Sequence, residues 1–167
     1  MSALLALAPA AALARPWNGI NPGVTDQAEV LKKFGEPTRR IKRGGLTVLT
    51  YSDAEKLEGT RQAQFHVDAA GLVTEVTIFL AEPLDPESVE GMYGKPGQKT
   101  FVETTFQKVW IYPPQGVAVY WAKDGSGAEA LSFTPGRTDK GGQVEPTPAR
   151  TGGGGKAGAG SKATETP

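Results

Sequence analysis

Apolar positions along this chain follow two periods, and the same order of periods occurs twice. Val30, Leu31 and Phe34 fall at i, i+1 and i+4, one face of a short helix. Thr25 or Asp26 precedes them as a cap for the free N–H groups of the first turn. Glu29 stands where a capping box places it for Asp26. Gly35 is suited to the left-handed position after the last turn, and Pro37 stops continuation. The period then changes to two. Leu46 to Tyr51 is β-prone, and Gln62 to Val67 alternates as a half-buried strand. Asp68 to Gly71 reads as a hairpin turn. Leu72 to Leu80 follows, with Val76, Ile78 and Leu80 on one face and Glu75, Thr77 and Phe79 on the other.

The second pass opens at Asp85-Pro86, a cap followed by proline at the first helical position. Val89, Met92 and Tyr93 are its expected buried face, and Gly91 weakens the helix by roughly 1 kcal/mol relative to Ala. Strands are predicted over Thr104 to Tyr112, Gly116 to Ala122 and Ala128 to Thr134, with Lys123 to Gly127 as the hairpin turn. Val30 to Pro37 and Val89 to Pro96 share the form Val, three residues, aromatic, Gly, any residue, Pro. Pro96 lies 59 residues after Pro37. An internal duplication follows from this. The expected fold class is α+β: a tandem of helix plus three-stranded antiparallel meander, with short helices on one face of an antiparallel sheet. The expected segments are a secretion signal over 1–14, a first repeat over 15–81, a second over 82–135 and a flexible Gly-rich tail over 136–167.

Composition narrows the chemistry. The 18 basic and 18 acidic side chains cancel, so nothing electrostatic favours nucleic acid. No cysteine is present, which excludes disulfides, a thiolate nucleophile and Cys-based metal sites. Ala3 to Ala14 is too short an apolar run to span a bilayer, which takes about 20 residues. It reads as the core of a secretory signal, with Ala12-Leu13-Ala14 as the cleavage pattern and Arg15 opening the mature chain. A buried N-terminal helix is the other reading. The basic region of such a signal is absent, which fits a start Met placed too late.

Catalytic patterns are sparse. A Ser-His-Asp arrangement would need His66, the only imidazole, and no Gly-x-Ser-x-Gly accompanies it. Asp124-Gly125-Ser126-Gly127 lacks the alternating ligands of a calcium loop. Gly152 to Gly155 before Lys156 lacks Walker spacing and a preceding strand. No cofactor is expected. The basic run Arg39 to Arg43 suits weak contact with anionic lipid or an acidic partner, and equally suits the guarding of an exposed edge strand. Aromatic residues are the remaining signal. Tyr51, Trp110, Tyr112, Tyr120 and Trp121 lie in predicted strands, and alternation sets Trp110 and Tyr112 opposite Val109 and Ile111. These rings either fill the core or line a helix-free face fit for a protein partner.

Gly23-Val24-Thr25, the helix Ala28 to Phe34, Gly35-Glu36-Pro37, Tyr51 and the strand–turn–strand Phe65 to Ile78 carry a resemblance over about residues 18 to 134. Val89 to Pro96, Trp110 and Asp124-Gly125 carry it in the second half. Together they resemble the SmpA/OmlA (BamE)-like family of outer-membrane assembly lipoproteins. The tandem arrangement is similar to the β-lactamase inhibitor protein. The resemblance implies small helices on one sheet face and a non-catalytic, protein-binding role in the cell envelope or outside it. The assembly lipoproteins carry an acylated Cys after the signal, and this chain has none, which points to a soluble relative. The expectation is therefore a periplasmic or secreted binding module, not an enzyme. It would present an aromatic-rich sheet face through Tyr51, Trp110, Tyr112 and Tyr120, with Arg39 and Arg40 at its rim, to an envelope or secreted protein. No nucleic acid and no membrane span are expected. The alternatives are a structural envelope or spacer protein with a flexible tail, and a carboxylate-based hydrolase.

Overall fold

The computed structural model describes residues 15–52 and 57–136. The expected signal over 1–14 lies outside the described residues, as does the expected tail beyond Gly136.

Helix α1 spans Gln27–Phe34 and is held by its ends. Asp26 Oδ1 accepts from the Glu29 N–H at 2.9 Å, and Glu29 Oε2 accepts from the Asp26 N–H at 3.3 Å, the reciprocal pair of a capping box. Gly35 ends it at φ 75°, a conformation costly for any residue with a Cβ. Helix α2, Pro86–Tyr93, repeats the device with Asp85 accepting from the Ser88 N–H at 2.7 Å and Pro86 in the first turn. Arg15 closes its other end. Its guanidinium donates to the Met92 carbonyl at 2.6 Å and lies 5.2 Å from the Tyr93 ring, a cation placed where the helix dipole is negative. Val89 is buried and Tyr93 half-buried, but Met92 is 42% exposed, so the apolar face of α2 is narrower than expected.

Each helix is followed by four strands. These are β1 (Arg39–Arg43), β2 (Leu46–Tyr51), β3 (Thr60–Val67) and β4 (Val73–Leu84) after α1. After α2 come β5 (Gln98–Val102), β6 (Gln107–Tyr112), β7 (Val117–Trp121) and β8 (Ala128–Phe133). All eight join one antiparallel sheet in the order β1-β2-β3-β4-β8-β7-β6-β5. This overturns the expected tandem of helix plus three-stranded meander. The missing strand in each half is its outermost one, β1 or β5, and the two halves are joined by the β4–β8 ladder. β4 also runs on to Leu84, past the expected boundary at residue 81. The predicted strand from Thr104 starts three residues late, because Glu103–Phe106 is a turn.

Among the described residues the sheet has one face covered by helices and one helix-free face. Val30 and Phe34 of α1, Val89 of α2, and Ile20 and Leu57 from loops pack onto Leu49, Tyr51, Phe65, Ile78, Trp110, Val119 and Leu131 in the larger cluster. Trp17 stacks on Phe34 with ring centroids 5.9 Å apart. The second cluster, Phe79, Val102, Val109, Ile111, Tyr120 and Ala130, consists of strand residues alone and faces the other way, as the period of two requires. The β6–β7 connection depends on one glycine. Gly116, at φ 64°, follows a 3-10 turn over Pro113–Gln115, and its carbonyl accepts from the Thr134 N–H at 2.7 Å.

Candidate binding surface

Four of the six side chains expected to meet a partner are buried. Tyr51 packs against Phe34 and Phe65, at 5.5 and 5.6 Å between centroids, and its hydroxyl donates to the Gly35 carbonyl at 2.9 Å. Burial pushes its phenol up, and the Glu36 carboxylate adds to the shift. Trp110 pairs with Trp121 at 4.5 Å, and Tyr112 with Tyr93 at 5.5 Å, all on the covered face. Tyr120 lies in the smaller cluster on the opposite face, its phenol pushed far up by burial and then by Glu75. The expected aromatic surface is thus corrected. Alternation sorts side chains into two faces, but it does not say which face the helices take. They take the one carrying Tyr51, Trp110 and Tyr112.

Arg39 and Arg40 are exposed on the edge strand β1, where every residue is exposed. Arg40 lies 3.6 Å from Glu36, an exposed pair worth at most about 1 kcal/mol. Four cations in five residues guard this edge against pairing with another strand. On the helix-free face His66 stands opposite Glu75 in the β3–β4 ladder, and Glu75 Oε1 accepts from Ser132 at 2.6 Å and Thr77 at 3.1 Å. Among the described residues no group of three or more His, Cys, Asp or Glu is placed to hold a metal ion. No helix there is long and apolar enough to cross a membrane.

The surface feature that stands out was not singled out from sequence. It is the β5–β6 hairpin. Phe101, on edge strand β5, is 61% exposed, and Phe106, at the tip, is 81% exposed. Phe106 also sits at φ 55°, and its N–H donates to the Val102 carbonyl at 2.7 Å to close the turn. A bulky residue at positive φ is an outlier that costs roughly 1–2 kcal/mol, which Asn or Gly would avoid. The hairpin base carries cations stacked on rings. Lys99 Nζ lies 4.1 Å from the Trp110 ring centre, and Lys108 Nζ lies 5.2 Å from Trp110 and 5.1 Å from Trp121. Two exposed ammonium groups therefore cap a buried indole pair. The indole N–H groups of Trp110 and Trp121 and the Tyr112 hydroxyl are buried without a hydrogen-bond partner among the described residues. One signal could have found β5. The 59-residue offset between the two Gly-x-Pro corners carries Arg39–Arg43 onto Gln98–Val102. Nothing in the sequence marks Phe106 as exposed, since its turn contains no glycine.

No family model matches the chain, and no curated protein does. The resemblance to the SmpA/OmlA-like family therefore stands on the quoted residues alone. Among solved structures the chain is similar to a DUF4309 family protein (YjgB) from Bacillus subtilis, at 16% identity and a TM-score of 0.56. The match covers 71% of this chain and 83% of that one. It is also similar to a cysteine-rich secretory protein from Staphylococcus aureus, at 11% identity and a TM-score of 0.43, over 66% of this chain and 43% of that one. At such identity the first likeness speaks to the fold alone. The second is too loose to carry an argument.

Proposed function

We propose that this protein is an exported, non-catalytic module of the cell envelope, periplasmic or secreted, that binds another protein through its β5–β6 hairpin. The supporting observation is Phe106, a phenylalanine held at positive φ with its ring in solvent. Neither property aids folding, and a backbone outlier with its ring in solvent points to a task outside the fold. Phe101 gives the hairpin a second exposed ring, and the unpaired edge of β5 supplies backbone donors and acceptors beside it. Aromatic anchors next to a free strand edge match the way peptides and proteins add to a sheet. The exposed cations of β1 leave the opposite edge of the sheet to water or to an acidic surface.

The test is capture from the source organism's envelope fraction with the natural chain and with a Phe101→Ser/Phe106→Asn variant. The expected result is a partner retained by the first and lost by the second, with both chains folded and unfolding cooperatively. Equal capture by both would remove the hairpin from the account.

A further inference from the structure

The sheet ends in two free edges of opposite character. β1 reads Arg-Arg-Ile-Lys-Arg and β5 reads Gln-Lys-Thr-Phe-Val. Each is terminal in the strand order, so the N–H and C=O groups on its outer side have no ladder partner within the sheet. In an antiparallel pairing of a strand with its own copy, outward-facing residues must meet outward-facing residues. The two-fold axis then passes through a residue. For β1, an axis at Ile41 sets Arg39 against Arg43 and Arg40 against Lys42, like charges at every flanking position. For β5, an axis at Lys99 would oppose two ammonium groups. An axis at Thr100 engages the whole strand and opposes none: Gln98 meets Val102, and Lys99 meets Phe101.

We propose that the protein pairs with a second copy of itself through β5, antiparallel, with Thr100 on the two-fold axis. This rests on the reading of the hairpin as the binding element and names its partner. Lys99 and Phe101 share the face of Trp110 and Lys108, as the β5–β6 register shows. Across the new ladder the ammonium of each copy lies over the exposed Phe101 ring of the other. That repeats the contact Lys99 already makes with Trp110 at 4.1 Å. Thr100 is a β-branched residue directly opposite its own copy, a favourable cross-strand pair. The contact is one five-residue edge with the rings beside it, short of the roughly 1,600 Å² of a standard interface. A concentration-dependent dimer with a dissociation constant on the order of 1–100 μM is therefore expected.

The register makes the test specific. The chain has no cysteine, so Thr100→Cys introduces the only thiol. Opposed residues in an antiparallel ladder have Cα atoms about 4.5–5.5 Å apart, within the reach of a disulfide. Under mild oxidation the Thr100→Cys chain is expected to become a covalent dimer, whereas Lys99→Cys, which faces Phe101, stays uncrosslinked. In sedimentation velocity the natural chain should shift toward twice 17.5 kDa between about 1 and 500 μM, bracketing that constant. Phe101→Lys, which opposes ammonium to ammonium, should hold it monomeric, and Phe101→Glu, which opposes Lys99 with a carboxylate, should keep the dimer. A chain monomeric throughout, a dimer indifferent to Phe101→Lys, or equal crosslinking of both cysteine variants would overturn the proposal. A monomeric chain that still loses an envelope partner on Phe101→Ser/Phe106→Asn would overturn the second copy as occupant while leaving the binding module standing.

Discussion

Replacing Phe106 by Asn separates what the fold needs from what the hairpin does. The ring is 81% exposed, so only about a fifth of an aromatic surface of roughly 200 Å² is withdrawn from water. At about 25 cal/mol per Å² its loss removes about 1 kcal/mol. Relief of the positive φ returns roughly 1–2 kcal/mol, since Asn tolerates the left-handed region far better than Phe. The N–H of residue 106 still donates to the Val102 carbonyl, so the turn survives. The net expectation is a stability unchanged or raised by up to about 1 kcal/mol. A phenylalanine inside the core behaves otherwise: Phe65, buried against Trp17, Phe34 and Tyr51, should lose about 3–5 kcal/mol on truncation to Ala. Urea unfolding followed by tryptophan fluorescence measures both. A loss above about 2 kcal/mol for Phe106→Asn would show that Phe106 supports the fold, and the functional argument built on it would fail.

Three further expectations concern the rest of the molecule. All four tyrosines have phenols held above the usual value of 10.0, each chiefly by burial. The neutral form is favoured on folding, so that stability is intact below about pH 10 and is lost as pH rises beyond it. Absorbance near 295 nm should show less tyrosinate at pH 10 in the native chain than in the unfolded one, and equal ionisation of the two would contradict the packing. The Ser88 N–H holds the Asp85 carboxyl below its usual value, and the Ser126 N–H does the same for Asp124. Their contribution is present above about pH 4 and is lost as pH falls through the lowered values. Asp85→Asn, which keeps the cap but cannot titrate, should flatten the acid limb of a stability–pH curve without changing its neutral plateau. Gly116→Ala places a Cβ at positive φ inside contact distance of the Thr134 carbonyl oxygen, and should cost at least about 2 kcal/mol by thermal unfolding.

What the sequence revealed and what it hid follow from local and non-local chemistry. Both helices were legible because Asp26 with Glu29, Asp85 with Pro86, and the closing glycines act within a few residues of themselves. The inner strands were legible for two reasons: β2 and β3 alternate with one face in the core, and β6, β7 and β8, buried on both faces, read as short runs rich in apolar residues. β1 and β5 were not, since an edge strand is solvated on its open side. Arg39–Arg43 has no apolar alternation at all, and Gln98–Val102 buries only Val102. Each is held by its hairpin neighbour, β2 or β6, and carries no core-facing pattern of its own. The aromatic residues show the same limit. That Trp110 and Tyr112 share a face was evident from spacing. That this face meets α2, while Phe101 and Phe106 are left in water, depends on where the helices land.

The β5–β6 hairpin, with its free edge, is proposed to be what this protein holds its partner with. Hydrogen–deuterium exchange on the intact chain, free well below about 1 μM and again when bound, addresses this directly. Binding through the hairpin should bring new amide protection at 98–102 and the adjoining turn to Phe106, with β1 unchanged. Protection that appears on the helices or along β1, with β5 still exchanging freely, would contradict it.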